Sequence, residues 1–178
     1  MASLTIGNGA MALRNGARTI ALLLTVLLLT ACGFHLRGQA GMPFEKLYIE
    51  TSNASTPFMV ELRRELADNK VQLVNTAMGA DVVLHIVSEI PDKQILTLGG
   101  GGRVTEFRLS YRVSLRAYDL LQRDWIPADE FTTRRDYSYD DTMILAKEAE
   151  EAMLWKSMRT DIVQQIVRRL SRSKPLPR

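Results

Sequence analysis

A chain of 178 residues is long enough for one ordinary domain with its own core and short for two. Its 23 basic and 20 acidic side chains leave a net charge of +3, and Arg14 and Arg18 supply two of those charges, so the rest of the chain is nearly neutral. That balance speaks against a nucleic-acid binder driven by bulk charge, and a single cysteine excludes an intramolecular disulfide.

Arg14 and Arg18 precede an uncharged run of Leu, Val, Ile, Ala and Thr over residues 19–30. About a dozen apolar residues fall short of the roughly 20 that a spanning helix needs, and they fit the apolar stretch of a secretory signal peptide. The run ends in Leu29, Thr30, Ala31 and Cys32, the pattern of a bacterial lipobox. In that pattern a diacylglycerol is attached to the thiol and a peptidase then cuts before it. Residues 1–31 are therefore expected to be removed as a lipoprotein signal peptide. Cys32 is expected to carry an S-diacylglycerol and an N-acyl chain, with no other cofactor. Two or more acyl chains, at about 0.8 kcal/mol per buried methylene, hold a protein on a bilayer without spanning it. An uncleaved apolar helix with a chance cysteine is the competing reading of the same residues. Gly33 stands where an Asp would favour retention in the inner membrane, which points to the periplasmic side of the outer membrane.

Residues 32–43 are irregular and contain glycine, as a tether would. "KLYIET" over 46–51 then alternates as a first strand. Ser55 and Thr56 ahead of Pro57 open a helix, since Pro fits the first turn, and Phe58, Leu62 and Leu66 follow at spacings of four. "VQLV" over 71–74 and "DVVLHIVSEI" over 81–90 read as strands. His85 falls on the polar side of the latter and has no second ligand near it in sequence, so a structural or surface role outweighs metal binding.

The most regular stretch follows the glycines at 99–102. In "EFRLSYRVSLRA", Phe107, Leu109, Tyr111, Val113, Leu115 and Ala117 alternate with polar residues, a period of two that marks a long half-buried strand. Its polar face carries Arg108, Arg112 and Arg116 in a row. That row is either a solvated face or a partner-contact face that meets acidic side chains or lipid phosphates. After a turn near "QRDWIPAD", "EFTTRRDYSY" over 130–139 reads as the last strand. Asp140 or Asp141 then caps a long helix from about Thr142, with Leu145, Ala149, Ala152, Trp155, Met158, Ile162, Ile166 and Leu170 as one apolar stripe expected to face the core.

The expected architecture is α+β, a two-layer sandwich in which two helices pack on one face of a mostly antiparallel sheet of about four strands. It forms a single domain over 44–171, followed by a basic flexible tail over 172–178. No catalytic constellation is legible: the thiol is assigned to lipid, and His35 and His85 stand apart. "GGGGR" over 99–103 lacks the Lys-Ser/Thr ending of a phosphate loop and opens a strand, so a hairpin tip is the better reading. No metal site and no enzymatic activity are expected.

"CGFHLRG" after a lipobox, "KLYIET", "ELRREL", the glycine turn into "TEFRLSYRVSLRAYD" and the closing "DTMILAKEAEEAMLWKSMRTDIVQQIVRRL" occur in the order found in the LptE family of lipopolysaccharide-assembly outer-membrane lipoproteins, which the chain resembles over nearly all of its mature length. The resemblance implies a one-to-one partner, the LptD outer-membrane β-barrel, which such lipoproteins plug and help to assemble. It also implies a part in moving lipopolysaccharide to the outer leaflet. The family binds lipopolysaccharide through basic residues near the sheet's turn and the start of the last helix. Lys147 in "MILAK" falls at the helix position, and Arg103 is the nearest substitute in the turn, where the glycine insertion shifts the pattern. Read without the resemblance, the same chain could be a lipid-anchored periplasmic carrier or adaptor for lipid or another envelope protein. A lipid-anchored hydrolase is disfavoured by the missing constellation.

Overall fold

The computed structural model describes residues 41–177. The signal segment, Cys32 and the tether up to residue 40 lie outside the described residues.

Strand β1 (Lys46–Thr51) buries Leu47 completely. Helix α1 (Pro57–Asp68) follows, with Pro57 in its first turn and the Thr56 hydroxyl accepting from the Met59 N–H at 3.2 Å. Its apolar spacing turns Phe58, Met59, Leu62 and Leu66 inward, and all four are fully buried. Lys70, at a φ of 63°, reverses the chain into β2 (Gln72–Val74), which pairs in parallel with β1.

Three long strands come next. β3 (Val82–Leu98) pairs in parallel with β1 only as far as Ile86, and antiparallel with β4 (Val104–Tyr118) along its length. β5 (Asp124–Ser138) closes the sheet, whose order is β2-β1-β3-β4-β5. The sheet has five strands where about four were expected, because the three residues of β2 pair fully with Lys46, Leu47 and Tyr48. The two long ladders are antiparallel and the two short ones parallel, so the sheet is mixed.

Two strands outrun the sequence expectation. β3 continues through Pro91 to Leu98, because beyond Ile86 it has no β1 neighbour and a proline is tolerated on an open edge. β5 starts at Asp124, so "DWIPAD" belongs to the strand, with Pro127 on the sheet's outer edge. The turn is confined to residues 119–123. There the Asp119 carboxylate accepts from the Leu121 and Arg123 backbone N–H groups and from Arg123 Nε at 2.7 Å. Desolvation would raise the Asp119 carboxyl, but these donors prevail and hold it below the ordinary range.

Helix α2 (Ile144–Ser171) packs on the same face as α1. Its stripe divides in two. Met158, Ile162, Ile166 and Leu170 are fully buried against Leu109, Val113 and Leu115 of β4 and the inner face of α1. Burying side chains of this size contributes about 1.5–3 kcal/mol each. Leu145, Ala149 and Ala152 are exposed, Leu145 by 82%. The expectation of one continuous core stripe is therefore corrected: α1 covers only the half of the sheet near β1, and the first turns of α2 extend beyond it.

Candidate functional site

The glycines at 99–102 let β3 and β4 reverse in a tight tip. Gly99 N–H donates to Arg103 O at 2.8 Å, and Gly101 and Gly102 take φ values of 77° and 76°, which side chains disfavour. From this tip the register leads directly to the start of α2. Glu106 pairs with Ser138, and Tyr139 N–H donates to Thr105 O at 2.8 Å. The Asp140 carboxylate then accepts from the Thr142 N–H at 2.9 Å. The Thr142 backbone and hydroxyl donors, with Lys147 adding attraction, hold Asp140 below its usual carboxylate range.

The fold thus brings Arg103 and Lys147 to one end of the molecule from positions far apart in sequence. Arg103 is exposed and its side chain makes no hydrogen bond or ion pair among the described residues. Lys147 is largely covered, its side chain 16% exposed, with Nζ 2.8 Å from Glu150 Oε2 and 3.2 Å from Ser138 Oγ. Around them lie residues the sequence did not single out as surface: Ile95, Leu96 and Leu98 of β3 and Met143, Ile144 and Leu145 at the helix start are all exposed. Exposed apolar side chains at an end of the molecule that also carries two cations suit an anionic amphiphile. The only sequence signal for the patch was the early part of the α2 stripe, which reads as core until the sheet's extent is known.

Behind the tip, Glu151 ties α2 to the sheet. Its carboxylate accepts from Lys93 Nζ and Tyr137 OH, each at 2.6 Å, and from Trp155 Nε1 at 3.1 Å. Lys93 also lies 4.1 Å from the centroid of the Phe107 ring, an attraction between cation and ring face. No sequence feature marked this network.

The arginine row of β4 is placed as expected on the helix-free face, but most of it is already paired. Arg108 makes a bidentate pair with Asp136, both contacts at 2.8 Å, and this raises the guanidinium and lowers the carboxyl. Arg116 Nε is 2.6 Å from Asp124 Oδ1 and stacks over Tyr118 at 4.9 Å. The side chain of Arg112, between Ile90 and Thr132, has no hydrogen bond or ion pair among the described residues, so Arg112 is the one member of the row free to meet a partner. His85 stands on the same face with Nδ1 4.0 Å from Glu50. Cys32 lies outside the described residues. Among those residues no three His, Cys, Asp or Glu side chains are grouped to hold a metal, and no helix is long and apolar enough to cross a membrane.

Comparison with known proteins places this geometry in context. The family described as "LptE: Lipopolysaccharide-assembly" matches residues 44–170. The LPS-assembly lipoprotein LptE of Yersinia pestis (strain Pestoides F) is 32% identical over 161 residues, covering 89% of this chain and 77% of that protein. Among solved structures, lipoprotein B from Nitrosomonas europaea superimposes with a TM-score of 0.67 at 40% identity, over 78% of this chain and 90% of the other. The rare lipoprotein B from Shewanella oneidensis gives a TM-score of 0.61 at 26% identity, over 70% of this chain and 92% of the other. The match spans both helices and all five strands, and the chain belongs to the LptE family of lipopolysaccharide-assembly proteins.

Proposed function

We propose that this protein is a non-enzymatic outer-membrane lipoprotein, anchored on the periplasmic side through lipid on Cys32, that pairs one to one with the LptD β-barrel as its plug. In that place it assists barrel assembly and the passage of lipopolysaccharide to the outer leaflet. Family membership supports the assembly role. The observation that carries the lipopolysaccharide contact is the tip end, which holds Arg103 and Lys147 together with exposed Ile95, Leu98, Ile144 and Leu145. Cations on such a patch suit lipid phosphates, and the apolar side chains suit acyl chains. Arg112, whose side chain is unpaired while Arg108 and Arg116 beside it meet carboxylates, is the natural contact to a polar barrel wall.

The test is direct binding of purified lipopolysaccharide to the protein and to Arg103→Asp/Lys147→Asp at several salt concentrations. The reading expects binding weakened about ten-fold or more with an unchanged circular dichroism spectrum. Equal binding at every salt concentration removes both residues from the contact.

A further inference from the structure

The end of the molecule opposite the tip carries a second feature. A groove of about 630 Å³ runs between the start of β5 and the C-terminal end of α2. Trp125 and Phe131 form its apolar side, and Arg168, Arg169, Arg172 and Lys174 contribute cations, with no carboxylate among the described residues that line it. The side chains of Arg169, Arg172 and Lys174 make no hydrogen bond or ion pair among the described residues, whereas Arg108, Arg116, Arg123, Arg135, Lys93 and Lys147 each meet a carboxylate.

A helix C-terminus attracts cations, which accounts for Arg168 and Arg169 in the last turn. It reaches Arg172, which caps the helix, but does not account for Lys174, which lies further along on a backbone held in place. Ser173 Oγ donates to Leu170 O at 2.8 Å, and Leu176 N–H donates to Asp124 O at 2.8 Å. Fixed, uncompensated cations beside an aromatic wall form a site for an anion that carries apolar matter with it.

The position of the groove selects among such anions. Trp125 is packed edge-on by Phe44, ring centroids 5.7 Å apart, at the point where the chain enters the domain. Gly41 is nine residue steps from Cys32, and at about 3.6 Å per step they reach no further than about 32 Å. If lipid holds Cys32, Gly41, three residues before Phe44, stays within about 32 Å of the anchor, so the groove is within reach of the leaflet that holds it.

We propose that this groove binds the head group of an anionic phospholipid in the anchoring leaflet, with Arg169, Arg172 and Lys174 on the phosphate and Trp125 and Phe131 against the glycerol and the first methylenes. The placement rests on the lipid anchor proposed above.

The test is co-sedimentation of the chain from residue 32 onward carrying Cys32→Ser, which retains every described core residue from Phe44 to Leu170. The vesicles are phosphatidylcholine alone, or phosphatidylcholine with about 30% phosphatidylglycerol. The proposal expects binding only to the second kind, weakened about ten-fold or more by Arg169→Glu/Arg172→Glu and unaffected by Arg103→Asp/Lys147→Asp. Arg169→Gln/Arg172→Gln serves if the charge reversal disturbs folding. Equal binding to both vesicles, or no binding to either, overturns the proposal. So does full displacement by inorganic phosphate, which would assign the groove to a free anion, or preferential capture of a polyglutamate peptide, which would assign it to an acidic protein segment. Because the assayed chain carries no lipid, its failure speaks to the groove alone, and absence of fatty-acid label on the full-length protein speaks to the anchor alone.

Discussion

Lys93 and Glu151 meet at 2.6 Å across the gap between β3 and α2, in the part of the molecule that α1 does not cover. There, beside the packed rings of Phe107 and Tyr137, one carboxylate serves a lysine, the Tyr137 hydroxyl and the Trp155 indole together. Glu151→Ala strands those three donors and should lower unfolding stability by about 2–3 kcal/mol, with Glu151→Gln losing about half as much. Urea denaturation of the two variants checks this.

The same group sets a pH dependence. Burial alone would raise the Glu151 carboxyl, but the hydrogen bonds from Lys93, Tyr137 and Trp155 outweigh it and hold it below the usual range. A depressed folded pKa means the stabilisation is present above the unfolded value, about 4.3, and is lost as pH falls through the lower folded value. Stability followed from about pH 7 to about pH 3 should therefore fall less steeply in Glu151→Gln than in the parent protein. Identical profiles would show that the carboxylate contributes nothing to acid sensitivity.

The divided stripe of α2 predicts a contrast within one helix. Ile162→Ala removes a fully buried side chain and should cost about 2–5 kcal/mol. Leu145→Ala, at a position 82% exposed, should stay within about 0.5 kcal/mol. Thermal or urea unfolding distinguishes them, and a large loss at Leu145 would mean that the first turns of α2 have a hidden packing partner.

At the tip, Gly102→Ala forces a side chain into a left-handed backbone and should cost about 1 kcal/mol. Gly100→Ala, where an added Cβ meets nothing within 4 Å and φ is ordinary, should be nearly neutral. Unfolding midpoints of the two variants give the comparison.

For the anchor, Cys32→Ser in the full-length chain should accumulate unprocessed precursor and take up no labelled palmitate. Gel mobility and label incorporation read the two effects, and normal cleavage with membrane retention would sink the anchoring account.

Much of this fold follows from local patterns. The period of two in β4 places Leu109, Tyr111, Val113 and Leu115 on the buried face, and Thr56-Pro57 with spacings of four specifies α1. What local patterns do not carry is where strands stop and what faces them. Pro91 and Pro127 look like breaks until β3 is seen to lose its β1 neighbour and β5 to lie on the sheet edge. Arg108 and Arg116 look free until the register sets Asp136 and Asp124 beside them. Leu145 looks like core until α1 proves too short to cover it. Each of these is a tertiary fact, and the tip and the groove both depend on such facts.

Partnership with a barrel is tested most directly by purification of the tagged, lipidated protein from its own membranes in mild detergent, followed by identification of what accompanies it. The account predicts a single large β-barrel protein in one-to-one amount. Recovery of the lipoprotein alone, with that barrel present in the same extract, would contradict it.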